Sequence, residues 1–230
     1  MRRPLVVAAL LACGSSRPTA VTLLPAPTPS ATPTHDADAS TSSPPPTATA
    51  PDVDANVALG DRYFADNKLD LAERAYEEVI KLPPPANRNY GYAWYKLAYI
   101  AWNKADYARA LFAFKKVADF GNAFSQISGA TRLADTARKD VVPVYAQVGA
   151  PTRAYEFFSR MTVDPQAALA MTAALGAAYL DQGAFANAAT IYRELAVRDP
   201  VHKCRWDAYA RHASTRTPRA ALDAALARCP

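Results

Sequence analysis

Three cysteines, three histidines and eight glycines are all that 230 residues supply of several side chains that most often mark a chemical site. His35 lies in a proline-rich stretch, His202 and His212 lie near the C-terminus, and none of them stands at metal-ligand spacing from Cys13, Cys204 or Cys229. A glycine-rich phosphate loop and a G-x-S-x-G turn are both absent. No catalytic constellation, no metal site and no cofactor is therefore expected. No run approaches the roughly 18 apolar residues of a membrane-spanning helix. The formal charge is +5, and removing residues 1–12 takes Arg2 and Arg3 out of 26 basic residues against 21 acidic ones. An excess that small gives no reason to expect a nucleic-acid partner.

What the sequence does contain is unevenly placed. Hydrophobic content is 50%, and the abundant alanine favours helix. Nineteen prolines are many for a helical chain, but nine of them fall between Gly14 and Asp54, among fourteen serines and threonines and no aromatic residue. Such a segment cannot bury enough apolar surface to offset its ordering entropy, so residues 13–54 are expected to form a disordered tether with polyproline character. At ~3.1 Å per residue about 41 residues reach ~125 Å when fully extended. Ahead of the tether stands Met-Arg-Arg followed by an apolar run from Leu5 to Ala12, the pattern of a secretory leader over residues 1–12. The leader ends in Leu10-Leu11-Ala12-Cys13, with Gly14 next. This resembles the bacterial lipobox, which implies lipid on Cys13 and a mature chain beginning there. Gly14, rather than an aspartate, is by the same resemblance the mark of an outer-membrane, periplasm-facing lipoprotein.

The rest of the chain repeats itself. Leu59 to Ala72, Leu97 to Ala110 and Leu175 to Ala188 each span thirteen positions, and a tyrosine or phenylalanine follows four residues after each alanine, at Tyr76, Phe114 and Tyr192. The fourth unit is the clearest. Leu175, Gly176 and Tyr179 share one face of a first helix, Gly183 turns the chain, Ala188 and Tyr192 begin the stripe of a second, and Pro200 stops it. The small residues permit close helix approach and the tyrosines fill the space beside them. In the first unit Asn67 takes the turn and Pro84 the stop. In the second, Trp94, Leu97 and Ala98 precede Ala110 and Phe114, with Phe120-Gly121-Asn122 expected to close the helix. The third unit is degenerate: Val141, Val142, Tyr145, Gly149, Ala154 and Phe158 fit, but Pro143 predicts a kink or a helix starting anew, after residues 123–134, irregular in pattern and then helical. Residues 203–228 make a shortened last hairpin suited to capping an array.

The L-G-x2-Y, A-x3-Y and P spacing resembles the tetratricopeptide (TPR) signature, with Thr172 where a tryptophan often opens it. The resemblance implies an all-α solenoid over residues 55–230, with repeats at about 53–86, 91–124, 135–168 and 169–202, whose first helices line a concave groove. Tether and array together resemble bacterial TPR lipoproteins, including envelope scaffolds of the myxobacterial type. That resemblance implies a non-catalytic, membrane-anchored scaffold binding protein or peptide partners in an envelope machine. The alternative is a cell-wall or polysaccharide-associated factor that binds glycan through the same aromatic groove.

Three sets of residues stand out as candidate sites. On the first helix of the second unit, Trp94, Leu97, Ala98 and Ala101 supply the packing face. Tyr92, Tyr95, Tyr99 and Trp102, spaced three, four and three apart, form a second aromatic face. Lys96 and Asn103 border it, positioned to orient a polar or carboxylate group, and by the resemblance this face looks into the groove. Packing of Tyr92 and Tyr99 against neighbouring repeats is the competing reading. Cys204 and Cys229 sit at the adjoining ends of the last hairpin, and the export signal places them in an oxidising compartment, so a disulfide is expected. Glu73, Glu77 and Glu78 read as a solvated face. Lys203, Arg205, Arg211, Arg216, Arg219 and Arg228 make the last hairpin basic. Either they form an ordinary solvated surface or they meet an acidic partner or lipid headgroups.

Overall fold

A computed structural model describes residues 52–230. The leader, Cys13 and all but the last residues of the tether lie outside the described residues. Among these, ten α-helices follow one another without a strand: α1 Val53–Ala65, α2 Leu69–Ile80, α3 Tyr90–Asn103, α4 Tyr107–Ala123, α5 Ala130–Val148, α6 Ala154–Ser159, α7 Pro165–Asp181, α8 Phe185–Arg198, α9 Lys203–Thr215 and α10 Arg219–Leu226. Helices α1 to α5 pack each on the next, as do α6 to α10, and α5 packs on α7. Aspartates start several of them. Asp52, Asp106 and Asp164 each accept a hydrogen bond from a backbone N–H in the first turn of α1, α4 and α7, satisfying a donor that the helix itself leaves free. Asp52 thus belongs to the folded unit although it lies inside the expected tether.

The thirteen-residue spacing becomes core packing. Ala72, Ala110 and Ala188 are fully buried, as are Tyr76 and Phe114, and Tyr192 is 2% exposed. A Cβ added to Gly176 would lie 2.8 Å from the Tyr192 ring, and one added to Gly60 the same distance from Tyr76. Glycine at this position is therefore what lets the aromatic ring of the second helix lie against the backbone of the first.

A further regularity appears at the turns. The residue eight positions after the repeat leucine has positive φ in three units: Asn67 at 57°, Ala105 at 57° and Gly183 at 73°. Glycine and asparagine tolerate this region, whereas alanine places its Cβ against the following carbonyl at a cost of roughly 1–2 kcal/mol. Ala105→Gly is therefore expected to stabilise the array by about 0.5–1 kcal/mol after the extra entropy of unfolded glycine is allowed for. The urea midpoint should rise. An unchanged or lower midpoint would mean that the turn carries no strain.

The third unit departs from expectation at Pro143 and Gly149. α5 starts at Ala130, within the stretch expected to turn helical, and runs through Pro143 as one helix of 19 residues. It does not start anew. Val141, Val142, Val144 and Tyr145 are all buried around the proline, and that packing holds the helix together across the one backbone donor that proline lacks. Gly149, at the turn position of this unit, is extended with φ −76° and ψ 143°, and the second helix shrinks to six residues in α6. Gly121 likewise does not end α4, which continues to Ala123. An added Cβ there would lie 2.8 Å from the Ala130 carbonyl oxygen and would also collide with the Cβ of Ala134. Gly121 serves close helix approach rather than a left-handed cap.

Between units the joints are polar as well as apolar. Asn87, 1% exposed, donates to the carbonyls of Val79 at 2.7 Å and Leu82 at 2.9 Å and accepts from the Asn89 N–H, fixing the α2–α3 connection. Glu73 is not part of a solvated face. Its side chain is 13% exposed and pairs with Lys104 and Arg109, and Glu77 pairs with Arg109. These contacts tie α2 to the turn of the next hairpin and to the start of its second helix, α4. Glu78 pairs with Lys81 at the surface.

Candidate partner-binding surface

The first helices set the geometry of the candidate surface. α3 presents Leu97, Ala98 and Ala101 to the core at 4%, 0% and 2% exposure. Trp94 is only half-buried and meets Tyr90 and Phe112 edge-on. On the remaining face Tyr92, Tyr95, Lys96, Tyr99 and Trp102 are half-buried and Asn103 is exposed. The six candidate residues are therefore together on α3, and the polar tips of Tyr92, Tyr95, Lys96 and Tyr99 are bound to neighbouring helices.

Two aspartates organise them. Asp61 of α1 accepts hydrogen bonds from the Tyr76 and Tyr92 hydroxyls, each at 2.7 Å, and pairs with the Lys96 ammonium at 3.2 Å. Burial alone would raise the Asp61 carboxyl, but the Tyr76, Tyr92 and Lys96 contacts outweigh it and hold the group below its ordinary value. Lys96 also stands over the Phe64 ring at 4.6 Å and the Tyr92 ring at 5.3 Å. It is thus committed within the chain rather than left for a partner's carboxylate. Asp140 of α5 accepts from the Tyr95 and Tyr99 hydroxyls at 2.8 Å and 2.9 Å. The Tyr95 and Tyr99 rings lie 5.1 Å apart, Trp102 tilts against Tyr99 at 5.6 Å, and all three surround the buried Phe114 ring. Asn103 donates its amide to the Tyr99 carbonyl at 2.8 Å. Asp61 and Asp140 were missed from sequence. Their signal was a lone carboxylate on a helix position beside Gly60 or Val141, which is visible only once the facing tyrosines are known.

The consequence is an aromatic face whose orientation is fixed from three successive first helices. Preorganised aromatic area of this kind suits recognition, because little rotamer freedom remains to be lost on binding. It also makes the array sensitive to alkali. Burial, then the Asp61 carboxylate, raise the Tyr76 and Tyr92 phenols well above their ordinary value, and burial, then the Tyr99 hydroxyl and Asp140, do the same for Tyr95. Burial also raises Tyr99, and burial brings Tyr145 up to about 12. A raised folded value means stability that is complete below the unfolded tyrosine value near pH ~10 and lost as pH climbs above it. The urea midpoint is expected to be level between about pH 7 and about pH 9 and to fall beyond about pH 10, less steeply in Tyr95→Phe/Tyr99→Phe. A midpoint flat through that range would contradict the hydroxyl clusters.

Two open spaces lie between the first helices. One cavity of 510 Å³ opens between α5 and α7, beside Val142, Pro143, Ala170 and Met171. Another of 510 Å³ opens between α7 and α9. At the far end of the array Cys204 and Cys229 are disulfide-bonded, with Cα atoms 5.6 Å apart. No group of His, Cys, Asp and Glu among the described residues could hold a metal ion. No described helix is long and apolar enough to cross a membrane.

A family match coincides with one of these hairpins. A tetratricopeptide-repeat family model matches residues 91–120, which cover α3 and most of α4. Among solved structures, one described as the crystal structure of MamA protein aligns over 76% of this chain and 86% of that one, at 17% identity and a TM-score of 0.41. No curated protein matches the chain. The matched residues form the α3–α4 hairpin, and helical hairpins flank it on both sides.

Proposed function

We propose that this protein is a non-catalytic scaffold that binds protein or peptide partners through the α3 face, held at a bacterial outer membrane by lipid on Cys13. The observation that carries the binding role is the locked aromatic cluster. Tyr95, Tyr99 and Trp102 stay half-exposed while Asp140 and Phe114 fix their positions. A tetratricopeptide repeat at the same helix supports a protein ligand. The lipobox Leu10-Leu11-Ala12-Cys13 and the proline-rich tether support the anchoring and the reach from the membrane.

Two variants of the full chain, expressed in its own cells, test the parts separately. Cys13→Ala should release the protein from membrane fractions or leave it unprocessed. Unchanged fractionation at the mature size would refute the anchor. Tyr95→Ala/Trp102→Ala should lose crosslinked partners in a pull-down. Co-sedimentation of the wild type with purified cell wall, lost in the same variant, would instead select the glycan-binding alternative.

A further inference from the structure

The cavity between α7 and α9 has a composition unlike the rest of the surface. Its floor is a stack of rings: Tyr192 lies 4.9 Å from Tyr209 at 21° and 6.3 Å from Trp206 at 14°. Tyr192 is 2% exposed, so this floor is recessed. Trp206 cannot swing away easily, because its indole N–H donates at 2.9 Å to Asp199, a carboxylate that also accepts from the His202 backbone and faces the His202 ring. The opposite wall is Ala173, Ala174 and Ala177 of α7, side chains too small to fill the space. A volume of 510 Å³ falls within the roughly 300–1,000 Å³ of ligand-sized pockets.

The rim is cationic. Arg205, His212 and Arg219 line it, with Asp181 as the one acid among the lining residues. Residues 203–230 hold six lysines and arginines against two aspartates. Both aspartates are already paired one helical turn away, Asp207 with Lys203 and Asp223 with Arg219. Among the described residues Arg205 has no carboxylate partner, and its guanidinium stands 6.0 Å above the Trp206 ring. A charged group held beside a recessed aromatic floor is an arrangement that an apolar side chain flanked by carboxylates would complete.

We propose that the α7–α9 cavity is a second binding site, for an acidic peptide segment. An apolar side chain enters between the alanine wall and the Tyr192–Trp206–Tyr209 stack, and a neighbouring carboxylate meets Arg205. A flat anionic bilayer fits the site less well. It would engage the exposed Arg211 and Arg228, which are not part of the cavity, as readily as Arg205, and would leave the recessed rings uncovered. The site shares no residue with the α3 face. It takes from the scaffold reading only the class of ligand.

The test uses fluorescence anisotropy of the purified chain with two short fluorescein-labelled peptides. One alternates Leu with Asp and Glu, and the other has lysine at every acidic position. A co-flotation arm uses phosphatidylglycerol vesicles. The acidic peptide should bind and the lysine peptide should not. Arg205→Glu and Ala177→Phe, the second at an exposed position where folding is not at stake, should each weaken binding by at least about tenfold. Tyr95→Ala/Trp102→Ala should leave this affinity unchanged, so that failure of one site is distinguishable from failure of the other. Equal binding of both peptides, or acidic binding indifferent to Ala177→Phe, would overturn the proposal. So would vesicle binding that depends on Arg205 while the peptide does not bind.

Discussion

Phe114→Ala is expected to be the most damaging single truncation in the array, costing about 3–5 kcal/mol, the usual range for an aromatic removed from a core. Phe114 is fully buried in α4, and its ring touches Tyr95, Tyr99 and Trp102 at 6.1, 5.7 and 6.5 Å. Removing it leaves a cavity directly behind the candidate binding face. The hydroxyl contacts to Asp140 would remain possible, but the rings that make them would lose the surface that sets their tilt. Unfolding in urea should show a lower midpoint with the slope retained if the array unfolds as a unit. Phe114→Leu should cost markedly less, because most of the volume is kept. A loss below about 1 kcal/mol for the alanine variant would mean that the ring is not the hub described.

Loss of the Cys204–Cys229 bond should be the next largest effect, and a local one. α10 has eight residues and only Leu222 fully buried. A helix that short is marginal by itself. The disulfide closes a loop with a sequence separation of 25, worth about 3.5 kcal/mol on the chain-entropy account. In a repeat array each unit leans mainly on its neighbours, so the loss should fall on the end unit. Hydrogen exchange in a Cys204→Ser/Cys229→Ser variant should show α10 amides unprotected while α3 and α4 keep wild-type protection. Unchanged protection in α10 would show that Leu222 and the α9 contacts suffice without the bond. Because Arg219 belongs to α10 and lines the α7–α9 cavity, the same variant should also weaken the acidic-peptide site.

How far the sequence reached depended on whether a feature was local. Leu59, Leu97 and Leu175 with their partner alanines marked three hairpins, because burial of one helix face imposes a spacing that the order of residues displays directly. The turns at Asn67 and Gly183 were legible because both residue types announce a left-handed backbone, whereas Ala105 takes the same conformation without announcing it. A fresh helix start at Pro143 and a cap at Gly121 both follow from intrinsic preference, and packing across α4 and α5 carries the helix through each position instead. The candidate face was legible as an aromatic stripe on α3. Its polar wiring was not, because Asp61 and Asp140 lie 31 and 45 residues from Tyr92 and Tyr95, the tyrosines they hold. A hydrogen bond across that separation leaves no periodic trace.

The central claim is that the face carrying Tyr95, Tyr99 and Trp102 meets another protein. Site-specific photo-crosslinking tests it most directly, with a photoreactive amino acid at position 102 of the full-length chain in its own cells. A control carries the same group at position 197, where Val197 on the second helix α8 is 81% exposed. Discrete protein adducts from position 102 and none of the same mass from position 197 are the predicted result. Identical adducts from both positions, or no protein adduct from position 102, would contradict it.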